Sequence, residues 1–275
     1  MQVKEPSSVI IDGRKMAYDE VSPPNPKGTI LLLTGLSSKR LAWYKQLEVF
    51  GRAFRTIALD NRDIGDSDPV TDPYTIADMA DDAAAVLKAL GIQRAHIVGI
   101  SMGGFVALNM ALRHPAHIEK LVLVATSAGG RVHVPPSPEM TAMLEQLDPQ
   151  MEIGERMRRT YARVAAPGYF ESHPKDWDRV AENARYRPQS QAAYFRQLQA
   201  SMTNDVSSQL EQIQAPTLVV HGELDPLAAP ENGRYLAQNI KGARLLLYPN
   251  TGHPLIIECA EDFNRDVLTF LEKQE

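Results

Sequence analysis

Ala95-His96-Ile97-Val98-Gly99-Ile100-Ser101-Met102-Gly103-Gly104-Phe105-Val106 is the stretch on which the fold turns. Its first six residues are mostly apolar and rich in β-branched side chains, as in a strand buried on both faces. From Phe105 onward, apolar residues return at Leu108, Met110 and Leu112, which is helical spacing. Between strand and helix stands Gly99-x-Ser101-x-Gly103. A serine here sits on a sharp turn, in strained backbone, and the flanking glycines leave room where a Cβ would crowd the neighbouring chain. Its hydroxyl would face solvent at a helix N-terminus, where positive partial charge favours an oxyanion. The same five residues also suit a small-residue turn without chemistry, so the rest of the chain must decide.

A serine hydroxyl needs a base within hydrogen-bond reach. Of the seven histidines, His96 lies inside the strand before the turn, and His114 and His117 flank Pro115 in a surface turn. His133 and His173 fall in a proline-rich segment, and His221 ends a strand. His253 follows the last apolar strand, in Asn250-Thr251-Gly252-His253-Pro254, and precedes the final helix. Loops at the carboxyl ends of parallel strands are where such sheets carry their sites. The base needs an orienting carboxylate, and His221-Gly222-Glu223-Leu224-Asp225-Pro226 offers two. Asp225 is preferred for its short side chain beside a proline-fixed turn, with Glu223 as the alternative.

Around these motifs, short apolar runs alternate with helical patterns, predicting a mostly parallel sheet covered by helices. The expected strands are residues 29–34, 55–59, 95–100, 120–125, 216–220 and 244–248. A hairpin across Asp12-Gly13 is expected to join 9–11 to 15–18. Residues 75–90 read as a helix with Gly91 as its C-terminal cap, and 260–273 as the last helix. The rhythm breaks between Gly129 and Val206, where Pro135, Pro136, Pro138, Pro149, Pro167, Pro174 and Pro188 punctuate what read as short helices. Residues 129–205 are therefore expected to form a helical lid on a core made of 1–128 and 206–275. Met157, Tyr161, Phe170 and Trp177 in that lid could line an apolar acyl pocket or simply pack the lid onto the core.

The order Ser101, Asp225, His253, each after a separate strand, resembles the α/β-hydrolase fold superfamily. The resemblance runs from the hairpin at Asp12 to the final helix. It implies an eight-stranded, mostly parallel sheet and a Ser-His-Asp triad of Ser101, His253 and Asp225. It also implies an oxyanion hole made by the backbone N–H groups of Leu36 and Met102, because Thr34-Gly35-Leu36 stands where the family carries His-Gly-x. Asp60-Asn61-Arg62-Asp63-Ile64-Gly65-Asp66-Ser67 is similar to the family's Asp-x-Arg-Gly-x-Gly-x-Ser loop. Asp63 replaces its glycine, as in aclacinomycin methylesterase-like members, and the loop is expected to be structural.

Serine at the turn excludes haloalkane dehalogenase and epoxide hydrolase chemistry, which use aspartate there. The resemblance implies hydrolysis of carboxylic esters through an acyl-enzyme, with no metal or organic cofactor, and the compact lid without long apolar runs points to small to medium esters. A lactonase resembling 3-oxoadipate enol-lactonases is the alternative, and a non-catalytic binding protein on the same fold is the second.

Bulk properties set outer bounds. A charged fraction of 23% and a hydrophobic fraction of 44% describe a globular chain. A net charge of −5 without a basic cluster gives no reason to expect nucleic acid. Ile30–Leu33 is far short of the roughly 20 residues that span a bilayer, so no membrane partner is expected. Residues 1–8 carry no secretory pattern, and the one cysteine, Cys259, cannot form an intramolecular disulfide. These observations point to a cytoplasmic protein.

Overall fold

The computed structural model describes residues 5–273 apart from Leu147 and Pro149. Pro149 of the lid and the first four residues of the polar amino end thus lie outside the described residues. Eight strands form one sheet: β1 (Ser7–Ile11), β2 (Arg14–Val21), β3 (Thr29–Leu33), β4 (Arg55–Leu59), β5 (Ala95–Ile100), β6 (Ile118–Val124), β7 (Thr217–Gly222) and β8 (Arg244–Tyr248). Their spatial order is β1-β2-β4-β3-β5-β6-β7-β8. The β1–β2 and β2–β4 pairs are antiparallel and the other five are parallel.

The hairpin turns on Asp12 and Gly13, at φ 47° and 78°. Two positive φ values match the twist of the strands they join. The parallel strands from β3 to β7 are largely buried on both faces, as their apolar runs require, whereas β8 at the sheet edge is half-buried. Leu31, Leu33, Ile57, Ile97, Leu121 and Val219 enter one core cluster. The alternate residues Ile30, Leu32, Ala58, Val98, Val122 and Leu218 enter the other. Each such leucine, isoleucine or valine side chain contributes roughly 1.5–3 kcal/mol by leaving water.

Before β6 lie α1 (Leu47–Phe50), α2 (Ile76–Ala89) and α3 (Met102–Arg113). Between β6 and β7 lie α4 (Pro138–Glu145), α5 (Ile153–Val164), α6 (Tyr169–Ser172), α7 (Pro174–Arg185) and α8 (Gln191–Met202). After β7 come α9 (Pro230–Asn239), α10 (Leu255–Glu258) and α11 (Ala260–Glu272). Helices α2 and α3 cover the first cluster, whereas α10 and α11 cover the second. Strand β6 starts at Ile118, two residues earlier than its apolar run suggested, and β7 carries His221 into the sheet. Thr75 caps α2 rather than joining it. Its hydroxyl accepts the Asp78 amide while the Asp78 carboxylate accepts the Thr75 amide.

The prolines between β6 and β7 start helices as well as stop them: Pro138 and Pro174 each lie in the first turn. The two ends of this segment meet. Gly129 and Asp205 form an antiparallel bridge, and the Val206 amide donates to the Ala128 carbonyl at 3.0 Å. Among the described residues, no helix is long and apolar enough to cross a membrane.

Candidate active site

Ser101 stands between β5 and α3 at φ 55°, ψ −121°. A non-glycine residue held there stores on the order of 1–3 kcal/mol, which the surrounding structure must impose. Its amide donates to the Val124 carbonyl of β6 at 2.9 Å, and its carbonyl accepts the Thr126 hydroxyl at 2.8 Å. A Cβ on Gly99 would strike the Gly103 backbone, and one on Gly103 would strike the Leu33 carbonyl. Those two glycines let the turn close against its neighbours.

Gly35 lies directly beside the serine. A Cβ built on it would be 3.6 Å from the Ser101 hydroxyl oxygen. The next residue is Leu36, and Met102 begins α3, where the first amides have no intrahelical acceptor. The loop manages without the family's histidine. The Thr34 hydroxyl donates to the Ser38 carbonyl at 2.9 Å, and the Ser38 amide closes the turn on Gly35 at 3.1 Å. Gln197, wholly buried on α8, accepts the Ser37 amide at 3.1 Å and donates to the Arg62 carbonyl. Sequence reading missed Gln197, because nothing local marks one glutamine on a helix 160 residues away.

His253 and Asp225 are brought together. Imidazole Nδ1 lies 2.8 Å from Asp225 Oδ2, with the two side chains 13% and 0% exposed. The other carboxylate oxygen accepts the Leu227 and Ala228 amides at 2.8 and 2.9 Å. The rival Glu223 is exposed. A carboxylate so bound presents one oxygen to Nδ1–H and leaves Nε2 as the basic nitrogen. The His253 loop lies across the end of β7, since a Cβ on Gly222 would strike the Thr251 and Gly252 carbonyls. Strands β5 and β7 are two apart, which separates the Ser101 and Asp225 ends of the sheet by about 10 Å.

A second carboxylate holds this loop. Glu258 accepts the Gly252 amide at 3.1 Å and the Ala166 amide at 3.2 Å. It thereby joins the histidine loop to the chain after α5. The His253 amide donates to the Val164 carbonyl at the end of α5, at 2.7 Å. Burial pushes the Glu258 carboxyl up, against the pull of those two amides. Its one sequence signal was an acid directly after the apolar run Leu255–Ile257. His221, beneath Asp225, is wholly buried, and desolvation lowers it to about 4, so it remains neutral. Among the described residues, no cluster of three or more His, Cys, Asp or Glu could hold a metal ion.

The 60–67 loop is structural, as expected, with a further role. Asp63 sits at φ 68°, where glycine is easiest, and its carboxylate grips Arg196 of α8 at 2.8 and 3.0 Å.

A family model described as the alpha/beta hydrolase fold matches residues 28–260. The chain belongs to this family. The α/β hydrolase from Burkholderia vietnamiensis named 2-hydroxy-6-oxononadienedioate/2-hydroxy-6-oxononatrienedioate hydrolase is 31% identical, over 97% of this chain and 94% of its own. Serine hydrolase BPHL of Mus musculus is 29% identical, over 97% of this chain and 86% of its own. Among solved α/β hydrolases, the enol-lactonase from Burkholderia xenovorans LB400 is similar with a TM-score of 0.84 and 26% identity, over 97% of this chain and all of that one. Family and relatives together point to a hydrolase.

Proposed function

We propose that this α/β hydrolase cleaves carboxylic esters by nucleophilic catalysis at Ser101, with His253 as general base and Asp225 as its orienting acid. The observation that carries this reading is the 2.8 Å contact between His253 Nδ1 and the buried Asp225 carboxylate, on the sheet edge where Ser101 is held at positive φ. Ser101 attacks the acyl carbon as His253 Nε2 takes its proton. The amides of Leu36 and Met102 receive the oxyanion, a role supported by Gly35 lying against the serine. His253 then protonates the departing alcohol and activates the water that frees the acid. Glu258 is a positioning residue, since it holds the loop that carries His253.

Residues 129–205 act as a cap over core segments 1–128 and 206–275. The Gly129–Asp205 bridge at its neck and the α5 contacts with the histidine loop support this. Small to medium acyl groups fit a cap made of short helices. Lactone hydrolysis is the second reading, favoured by the structural likeness to the enol-lactonase. It uses the same residues, because a lactone is a cyclic ester.

The test compares p-nitrophenyl butyrate hydrolysis by wild type and Ser101→Ala. A loss of roughly 10³-fold or more in kcat is expected in the variant. Equal rates would remove Ser101 from the mechanism.

A further inference from the structure

Lys39 is a lysine in an unusual place: the residue is 5% exposed. Its ammonium donates only to the ends of two peptide groups, the Asn183 carbonyl at 3.1 Å and the Ala184 carbonyl at 3.4 Å, on the last turn of α7. Among the described residues, no carboxylate lies within ion-pair distance of it. Asp60, whose charge acts on Lys39, is already held by the Arg40 guanidinium at 2.5 Å and by the Arg40 and Asp66 amides. A buried cation without a counter-ion is expensive, and an anion placed beside it recovers much of that energy.

Beside Lys39 lies a cavity of about 40 Å³. Its walls come from the turn at Ser37 and Ser38, from Met157 and Tyr161 of α5, from Asn183 of α7, and from Ile257 of α10. No carboxylate lines it. Tyr161 is hydrogen-bonded to the Ser38 side chain, and desolvation pushes its phenol up to about 12, so it keeps a proton to donate at neutral pH. The volume has room for about three water-sized centres, which is enough for a carboxylate group.

The cavity is close to the chemistry. The Gly35–Ser38 turn keeps those two Cα atoms within about 7 Å, and Gly35 touches Ser101. An extended substrate advances about 1.2 Å per bond, so a chain of roughly six bonds matches the distance from the Gly35 side of the serine to the Ser38 wall of the cavity.

We propose that this cavity is a carboxylate subsite with Lys39 as its counter-charge, so that the preferred substrate is an ester or lactone bearing a free acid some five to seven bonds from the scissile carbonyl. The proposal rests on the reading of Ser101 as nucleophile. Lys39 selects the substrate and takes no part in bond breaking. Desolvation lowers its amine to about 8, which leaves it largely protonated at neutral pH.

The experiment compares monomethyl suberate with its neutral counterpart methyl octanoate, in wild type and Lys39→Met. Wild type should favour the acid ester at least tenfold in kcat/KM. In Lys39→Met that preference should fall at least tenfold, chiefly through KM. Equal rates on the two esters in wild type, or a preference that survives in the variant, would overturn the proposal. If neither ester is hydrolysed, the esterase reading fails, but calorimetric titration with suberate still decides the subsite. Binding weakened tenfold by Lys39→Met supports it, and unchanged or undetectable binding to wild type overturns it. Should Lys39→Met not fold, Lys39→Gln removes the charge while keeping a donor for Asn183 and Ala184.

Discussion

The sheet and the helices between β6 and β7 are held by different forces. In the sheet, Leu32, Val98, Val122 and Leu218 are 0–1% exposed and pack between helix layers. The cap segment adds apolar contacts through Phe170 and Val180, but much of its attachment is polar and directional. Asp63 grips Arg196, and Tyr186 donates to Asp66 at 2.6 Å. The Asn183 side chain donates to the Leu41 carbonyl, and Glu258 receives the Ala166 amide. Apolar burial is additive and indifferent to direction, so it makes a stiff frame. Hydrogen-bonded tethers contribute about 1 kcal/mol net each and break singly, which suits the role of cap proposed for residues 129–205.

Substituting the frame should have the largest effect. Leu32→Ala, in the middle of β3, should lower the unfolding free energy by 2–5 kcal/mol, read as a shift in urea midpoint. A shift under about 1 kcal/mol would mean that the layers collapse around the gap, and that the frame is softer than its burial implies.

Acid should come next, acting through His221 at the boundary between frame and site. Its folded value of about 4 lies below the unfolded value of about 6.5. Unfolded chains therefore bind the proton first as pH drops. Stability from this group is intact above pH 6.5, falls through the window, and stops falling below about 4. Between pH 7 and 5 the loss is roughly 2 kcal/mol. In His221→Leu the pH 7-to-5 drop in urea stability should shrink by that amount, and an unchanged drop would assign the acid sensitivity to other groups.

Cutting a tether should change global stability least. Tyr186→Phe removes one tether and leaves Asp66 still held by Arg40, at about 1 kcal/mol. Limited proteolysis should cut between residues 129 and 205 several-fold faster, with a smaller shift in the urea midpoint than Leu32→Ala gives. A midpoint shift as large as that of Leu32→Ala would erase the contrast between frame and cap.

Local patterns made much of this legible. Strands β4 and β5 span the residues their apolar runs marked, because a strand buried on both faces has little freedom in composition. The bend at Ser101 was readable because Gly99 and Gly103 are dictated by close backbone approach. The start of β6 was not, since Glu119 breaks the apolar run at an exposed position.

By itself, then, the amino-acid order determined the layered sheet, the strained serine and the succession of Ser101, Asp225 and His253, because each rests on steric and periodic rules acting within a few residues. Tertiary structure brought Asp225, already preferred from its short side chain beside Pro226, against His253; it alone recruited Glu258 and Gln197 to hold the loops, and buried Lys39 beside a cavity. Those outcomes depend on which groups meet across 28, 92, 160 and 144 positions of chain, and on desolvation, which no short window of sequence records.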